Sequence, residues 1–185
     1  MTKQVLQLVL GLATAFFLTG CVEVTFDQPQ PPKRWDRKHM PKSWTGTWVD
    51  AKASAEKAEK DKIVVTRDEV RIISEDITLH IGEDTHLRWF DGYLVFSVRP
   101  DDGKGYVVQL AKRDKDHIAL FEFDGSDEAK IAIWETVMET EIEKTTNDAG
   151  KLKAVHLSPE NNAAFRNLIA EGGMTRKADL VRISD

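Results

Sequence analysis

Residues 85–99 read THLRWFDGYLVFSVR and hold two candidate β-strands around one Asp-Gly pair. In Thr85–Phe90 and in Tyr93–Arg99, apolar residues recur at every second position, which is the period of a strand with one buried face. Asp91-Gly92 supplies the positive φ angles that a tight two-residue turn requires. This stretch therefore predicts an antiparallel hairpin.

The same period and the same turn residues continue on both sides of this hairpin, with further turns predicted at Asp101-Asp102-Gly103 and Asp124-Gly125. The other candidate strands are Gly46–Asp50, Ile63–Thr66, Val70–Ser74, Ile77–Ile81, Tyr106–Lys112, Ile118–Phe123 and a short last strand, Asp179–Ser184. Residues 51–62 have no apolar stripe and predict a solvated loop or a frayed helical turn. Many short strands with regular turns are typical of a mainly β, antiparallel domain.

A second hairpin is predicted with its turn near Glu83. Its register places His80 opposite His86 on the polar face, and the apolar face is coherent. The apolar pairs in this register are Ile77 with Trp89, Leu79 with Leu87, and Ile81 with Thr85.

His80 and His86 are then the best candidates for a metal site, because two imidazoles with a carboxylate such as Glu83 suit zinc. Arg88 lies on the same face and would repel a cation. Exposed histidines are also common in hairpins. We therefore predict no metal and no cofactor, and keep these two histidines as the weakest candidates.

Two segments outside the strands have helical features. Residues 129–144, AKIAIWETVMETEIEK, fit a helix through Ile131, Trp134, Val137 and Met138, but their alternation and β-branched content slightly favour a strand. Ser158-Pro159-Glu160 predicts the start of a helix that buries an apolar stripe and ends at Gly172-Gly173. The predicted stripe is Phe165, Leu168 and Ile169.

The chain begins with the layout of a secretory signal. Lys3 precedes an apolar stretch from Val5 to Phe17, which is shorter than the ~20 residues that a bilayer-spanning helix needs. Leu18-Thr19-Gly20-Cys21 follows, and it resembles the lipobox of bacterial lipoproteins. The resemblance implies that residues 1–20 are removed and that Cys21 is acylated. It also implies a lipid anchor in the cell envelope, at the outer membrane facing the periplasm, since Val22 is not the aspartate of inner-membrane retention.

Residues 21–43 are interpreted as the acylated cysteine and a proline-rich, extended tether, and residues 44–185 as one β-rich domain. Trp35 lies in the tether among basic residues. Such a cluster favours an anionic lipid surface, or it is a solvated spacer with one amphipathic side chain. The basic residues are Lys33, Arg34, Arg37 and Lys38.

Composition excludes several classes of function. The formal net charge of −5 over 185 residues argues against nucleic-acid binding, which requires a basic face. Cys21 is the only cysteine, so once it is acylated neither a disulfide nor a thiolate metal site remains. No Gly-x-Ser-x-Gly motif is present, and Ser126 is better explained as a turn residue. We expect no enzyme.

Gly46-Thr47-Trp48 resembles the Gly-x-Trp of the lipocalins, which are small β-barrels. The resemblance implies that Trp48 closes one end of a barrel and that an arginine from a late strand, here Arg182, packs over it. The chain departs from the family in lacking a Thr-Asp-Tyr motif and a disulfide. The predicted fold is an antiparallel lipocalin-like or half-open barrel with one C-terminal helix before the last strand.

The sequence predicts the function of the protein less specifically than its fold. Trp48, Trp89 and Trp134 either line an apolar cavity or fill the core. We expect a non-enzymatic lipoprotein, anchored to the membrane, that binds a small apolar ligand. The alternative is an interaction lipoprotein with a filled barrel that docks an envelope protein. A hydrolase or metal enzyme built on the histidine hairpin is the third hypothesis.

Overall fold

The structure is a computed structural model that describes residues 22–100, 104–138 and 142–184. The predicted signal peptide, Cys21 and the Asp101-Asp102-Gly103 turn lie outside the described residues. The strands are β1 (Glu23–Phe26), β2 (Gly46–Asp50), β3 (Ile63–Val65), β4 (Glu69–Ile72), β5 (Ile77–His80), β6 (Thr85–Phe90), β7 (Tyr93–Val98), β8 (Val107–Asp114), β9 (His117–Glu122), β10 (Ile142–Thr146), β11 (Leu152–Leu157) and β12 (Thr175–Ser184). The helices are α1 (Ala55–Lys60), α2 (Glu128–Met138) and α3 (Asn162–Ala170), with short 3-10 turns at Lys42–Trp44 and Ile73–Glu75.

Nine strands form one antiparallel sheet in the order β5-β4-β3-β2-β12-β9-β8-β7-β6, and this sheet curls into a nearly closed barrel. Helix α3 precedes the last strand, so the predicted fold class is confirmed. The β6–β7 hairpin is also confirmed, since Phe90 pairs with Tyr93 and Asp91 and Gly92 have φ angles of 47° and 82°.

The hairpin predicted around Glu83 was wrong. Every neighbouring pair in the nine-stranded order is antiparallel, so an odd number of strands leaves β5 and β6 running in the same direction at the two edges of the sheet. Only an isolated parallel bridge between Ile81 and Thr85 joins them. Strand β5 pairs with β4 instead, and the chain passes from one edge to the other without reversing.

The barrel has apolar side chains on its inside and, along β6 to β9, on its outside as well. The outer face is covered by α2, α3 and a second sheet of three strands in the order β1-β11-β10. This second layer explains why strands such as YLVFSV are apolar almost without interruption. The inner cluster comprises Met40, Trp44, Trp48, Ile63, Val65, Val70, Ile81, Leu87, Leu94, Ala111, Ile118, Ala178 and Leu180.

Residues 128–138 are helical, so the preference for a strand in 129–144 was wrong over that range, and only β10 at its end is extended. Ile131, Trp134 and Met138 are buried on one side of α2. Packing of this stripe on the outer face of the barrel outweighs the strand propensity of the β-branched residues.

Helix α3 buries Phe165 and Leu168 as predicted, and Ile169 is partly buried. Its N-cap is Asn161, whose side chain accepts hydrogen bonds from the N–H groups of Ala163 and Ala164 at 2.9 and 3.1 Å. The predicted start at Ser158 was three residues too early. Residues 55–60 form the short helix α1, which buries no residue, so the helical one of the two predicted alternatives applies there.

Candidate functional site

One end of the barrel is closed by the side chains that the lipocalin resemblance singled out. The guanidinium of Arg182 lies 4.7 Å from the ring centroid of Trp48, as predicted, and it also donates a hydrogen bond to the carbonyl of Ser43. Trp48 Nε1 donates to the carbonyl of Trp44 at 3.0 Å. The 3-10 turn that precedes β2 therefore caps this end, and the cation–π contact fixes the last strand against it.

The three tryptophans predicted as cavity lining do not lie around one cavity. Trp48 is fully buried in the inner cluster. Trp134 is fully buried on α2, in the outer layer, where its Nε1 donates to the carbonyl of Gly173 at 2.7 Å. Trp89 is 45% exposed and packs edge-on against Trp44, with ring centroids 6.0 Å apart. Trp48 and Trp134 thus fill two separate cores.

His80 and His86 are not partners across a hairpin, because β5 and β6 are not paired. His80 is exposed and pairs in register with Glu69. His86 hydrogen-bonds through Nδ1 to Asp36 at 2.9 Å and packs edge-on against Tyr106. Within residues 22–100, 104–138 and 142–184, no cluster of three or more histidine, cysteine and acidic side chains could hold a metal ion.

Residues 22–43 are not the extended, solvated tether that the prolines predicted. Strand β1 pairs in parallel with β11, and Val22 packs on Gly125, where a Cβ would approach Val22 Cγ1 to 2.7 Å. Farther along, the backbone N–H of Arg37 donates to the carbonyl of Leu87 on β6 at 2.7 Å. The N–H of Met40 donates to the carbonyl of Arg67, before β4, at 2.8 Å. This segment therefore covers the seam between the two edges of the sheet.

Arg88 is the residue that holds this segment in place. It lies on the outer face of β6, and its side chain is only 10% exposed. It donates to the carbonyls of Pro29 and Pro31 and, through Nε, to Asp36 Oδ1 at 2.6 Å. Burial raises the pKa of Asp36, but hydrogen bonds from His86 and Arg88 outweigh it, so the pKa is lowered from its usual value.

The outer surface of the segment is basic and carries an exposed aromatic ring. We call residues 33–42 the basic loop. Trp35 is 95% exposed, and the loop borders a shallow surface depression of about 520 Å3 lined by residues 35–42. Met40 points the other way and is buried in the inner cluster. The exposed cations of the loop are Lys33, Arg34, Arg37, Lys38 and Lys42.

Lys177 lies between two carboxylates near the end of β9, at 2.8 Å from Glu122 and 2.6 Å from Asp124. Burial raises the pKa of Glu122 above its usual value. Burial lowers the pKa of Lys177, but hydrogen bonds to Asp124 and Glu122 outweigh it, and the net pKa is raised. A lysine held protonated in this way is not a nucleophile or a general base at neutral pH. The cluster is therefore an ion-pair network.

Sequence reasoning missed both the strand at residues 23–26 and the contribution of Arg88. The signal for the strand was present, since Val22, Val24 and Phe26 alternate with polar residues, but the prolines that follow favoured a spacer. No local pattern identifies Arg88, because its partners lie more than fifty positions away.

Comparison with known proteins gives no relative: no family model, no curated protein and no solved structure matches this chain. Within the ranges that the structure describes, no helix has the length and apolar character needed to cross a membrane.

Proposed function

We propose that this protein is a non-enzymatic lipoprotein of the bacterial cell envelope, and that its filled barrel is a rigid scaffold for an interaction at its outer surface. The observation that carries the proposal is the packing of the barrel interior. Trp48, Leu87 and Leu94 are fully buried in one inner cluster, and interiors packed by side chains leave no room for a ligand.

The envelope location rests on the lipobox residues 18–21. Acylation of Cys21 would place three acyl chains immediately before Val22, and two chains already suffice for stable anchoring. Val22 packs on Gly125, so the anchor would join the fold directly, without a long spacer. We accordingly propose an attachment to the outer membrane that faces the periplasm.

A binding titration tests the filled interior. The variant that begins at Val22, which carries every described element and no acyl chain, would be titrated with a fluorescent apolar probe such as N-phenyl-1-naphthylamine. We expect no saturable binding. A Trp48→Ala variant, in which a large buried side chain is removed, is the matched control and should acquire a site for the probe. Saturable, stoichiometric binding to the unsubstituted protein would overturn the proposal.

A small apolar ligand remains the second candidate function, because three apolar side chains that pack on the inner cluster are only partly buried. These residues are Leu79, Phe96 and Leu120. If the unsubstituted protein binds the probe, a Leu120→Trp variant tests this candidate. The bulkier ring should abolish binding beside Leu120, and unchanged binding would exclude the surroundings of Leu120 as the ligand site.

A further inference from the structure

We propose that the basic loop, residues 33–42, is a docking surface for an anionic glycan, that is, a polymer of sugar rings whose attached groups carry carboxylates. This inference rests on the proposed function, since it identifies the interaction that the scaffold supports and places it in the envelope. It is carried by four properties of the loop: its fixed conformation, its charge, its exposed tryptophan and its position.

The loop is held in one conformation before any partner binds. Arg88 binds two carbonyl groups and the carboxylate of Asp36, and the N–H of Lys33 donates to Asn162 Oδ1 at 3.2 Å. Buried Met40 ties the far end of the loop to the inner cluster. A preorganised surface loses little conformational entropy on binding, which favours docking.

The charge of the loop is positive in a chain of formal net charge −5. Asp36 is the loop's only acidic residue, and its two oxygens already accept hydrogen bonds from His86 and Arg88. The carboxylate therefore does not neutralise the exposed cations of the loop. Arginine and lysine in such a cluster bind carboxylates through charge-assisted hydrogen bonds.

Trp35 provides the apolar part of the surface. An indole that is almost fully exposed and is carried on a backbone held in place at Lys33, Asp36 and Arg37 can stack on the C–H face of a sugar ring. A ring stacked on Trp35 would bring the carboxylates of its attached groups toward the adjacent exposed cations, Arg37 and Lys38.

The position of the loop favours a glycan over the membrane that holds the anchor. Val22 leaves the fold beside Gly125, just after the end of β9. Arg34 of the loop lies 5.7 Å from the ring centroid of Phe90, at the end of β6. Three antiparallel pairings separate β6 from β9, so the carboxyl ends of these strands lie at opposite ends of the barrel. Arg34, and with it the adjacent Trp35, therefore lies toward the end of the barrel opposite Val22, while the rest of the loop runs back along β6 to Leu87.

A cosedimentation assay tests this proposal. Full-length protein, solubilised in detergent, would be mixed with purified peptidoglycan sacculi, and the bound fraction would be measured after centrifugation. We expect Trp35→Ala, and separately Arg37→Ala/Lys38→Ala, to weaken binding about tenfold, which is the scale of a lost binding anchor. Binding should also disappear near 1 M salt, where the Debye length is about 3 Å.

The matched control is Lys151→Ala/Lys153→Ala, which removes two exposed positive charges from β11 and the turn before it. It should bind sacculi as the unsubstituted protein does. Because Trp35, Arg37 and Lys38 are all exposed, their substitution should leave the denaturation midpoint unchanged. Absence of binding by the unsubstituted protein, or equal loss in the control, would overturn the proposal.

A membrane surface is the alternative partner, and a second experiment distinguishes it from a glycan. Full-length protein would be reconstituted in vesicles with and without phosphatidylglycerol, and acrylamide quenching of Trp35 would be obtained by difference from Trp35→Phe. We expect Trp35 to stay accessible in both. Shielding that depends on phosphatidylglycerol would assign the loop to lipid and refute the glycan. Cosedimentation in detergent does not require acylation, so its failure is distinct from a failure of the lipid anchor.

Discussion

Arg88 Nε and Asp36 Oδ1 are joined by a 2.6 Å hydrogen bond across 52 positions of sequence. This ion pair connects β6, an edge strand of the nine-stranded sheet, to a segment whose composition is that of a spacer. Arg88 is largely buried, and it also satisfies two carbonyl groups of the proline-rich stretch. The N-terminal segment is therefore part of the folded domain, and its loss would expose the seam between β5 and β6.

Removing the carboxylate of Asp36 should destabilise the fold. In Asp36→Asn the largely buried Arg88 loses its charged partner, and we expect a loss of about 1–3 kcal/mol in the free energy of unfolding. Chemical denaturation of the variant beginning at Val22 measures this. The control is Asp91→Asn, which breaks the exposed pair with Arg166 and should cost less. Equal effects would mean that Arg88 and Asp36 do not hold the segment.

The same carboxylate predicts an acid dependence. The pKa of Asp36 is lowered in the folded state by His86 and Arg88, against the effect of burial. Its stabilising contribution is therefore complete above the unfolded pKa of about 3.9 and is lost as the pH falls through the lower, folded pKa. As the pH falls below about 5, the free energy of unfolding should decrease more for the unsubstituted protein than for Asp36→Asn. Parallel pH profiles would contradict this.

Arg182 should stabilise the closed end of the barrel. Arg182→Met keeps the apolar stem but removes the cation–π contact with Trp48 and the hydrogen bond to Ser43. We expect a loss of about 1–3 kcal/mol, together with a change in the fluorescence of Trp48. Arg176→Met, which removes an exposed ion pair with Asp179, serves as the control. An effect no larger than that of the control would show that Arg182 does not cap the barrel.

Gly173 permits the close contact between α2 and the end of α3. A Cβ at this position would lie 2.5 Å from the carbonyl oxygen of Leu168 and 3.0 Å from Trp134 Nε1. Gly173→Ala should therefore cost about 1–3 kcal/mol by overpacking, measured by thermal or chemical unfolding. The exposed neighbour Glu171 gives the comparison, since Glu171→Ala should change stability by less than about 0.5 kcal/mol.

Acylation of Cys21 predicts a labelling result in cells. Expressed protein should incorporate radiolabelled palmitate, and Cys21→Ser should not, because the thiol is the proposed acceptor. Lys151→Ala/Lys153→Ala should remain labelled and controls for expression and export. Label that persists in Cys21→Ser would disprove the lipobox interpretation without affecting the fold.

Sequence reasoning succeeded where the decisive contacts are local or carried by a short motif. Strands β2 and β6 have the predicted bounds, because alternation and Asp-Gly turns depend on neighbouring residues. The contact between Arg182 and Trp48 followed from the Gly-x-Trp resemblance. At the end of the barrel where Arg182 packs on Trp48, the sequence pattern and the tertiary packing therefore agree.

Sequence reasoning failed where the structure depends on pairing between residues that are far apart in the sequence. Alternation in β5 and β6 is the same whether the chain reverses near Glu83 or continues, and only the odd number of strands in the nearly closed sheet distinguishes the two cases. Likewise, the sequence around Trp134 fits either a strand or a helix. The helix forms because its buried stripe packs on the outer face of the barrel. The metal hypothesis for His80 and His86 depended on the wrong pairing and loses its premise.

The central claim is that the N-terminal segment seals the barrel and presents the basic loop as a fixed surface. Residue-resolved hydrogen–deuterium exchange tests it at the N–H groups of Arg37 and Met40, which donate to Leu87 and Arg67. We predict that both exchange as slowly as the paired amides of β6. If they exchange at the rate of an unstructured peptide while β6 stays protected, the segment is a tether and this account is wrong.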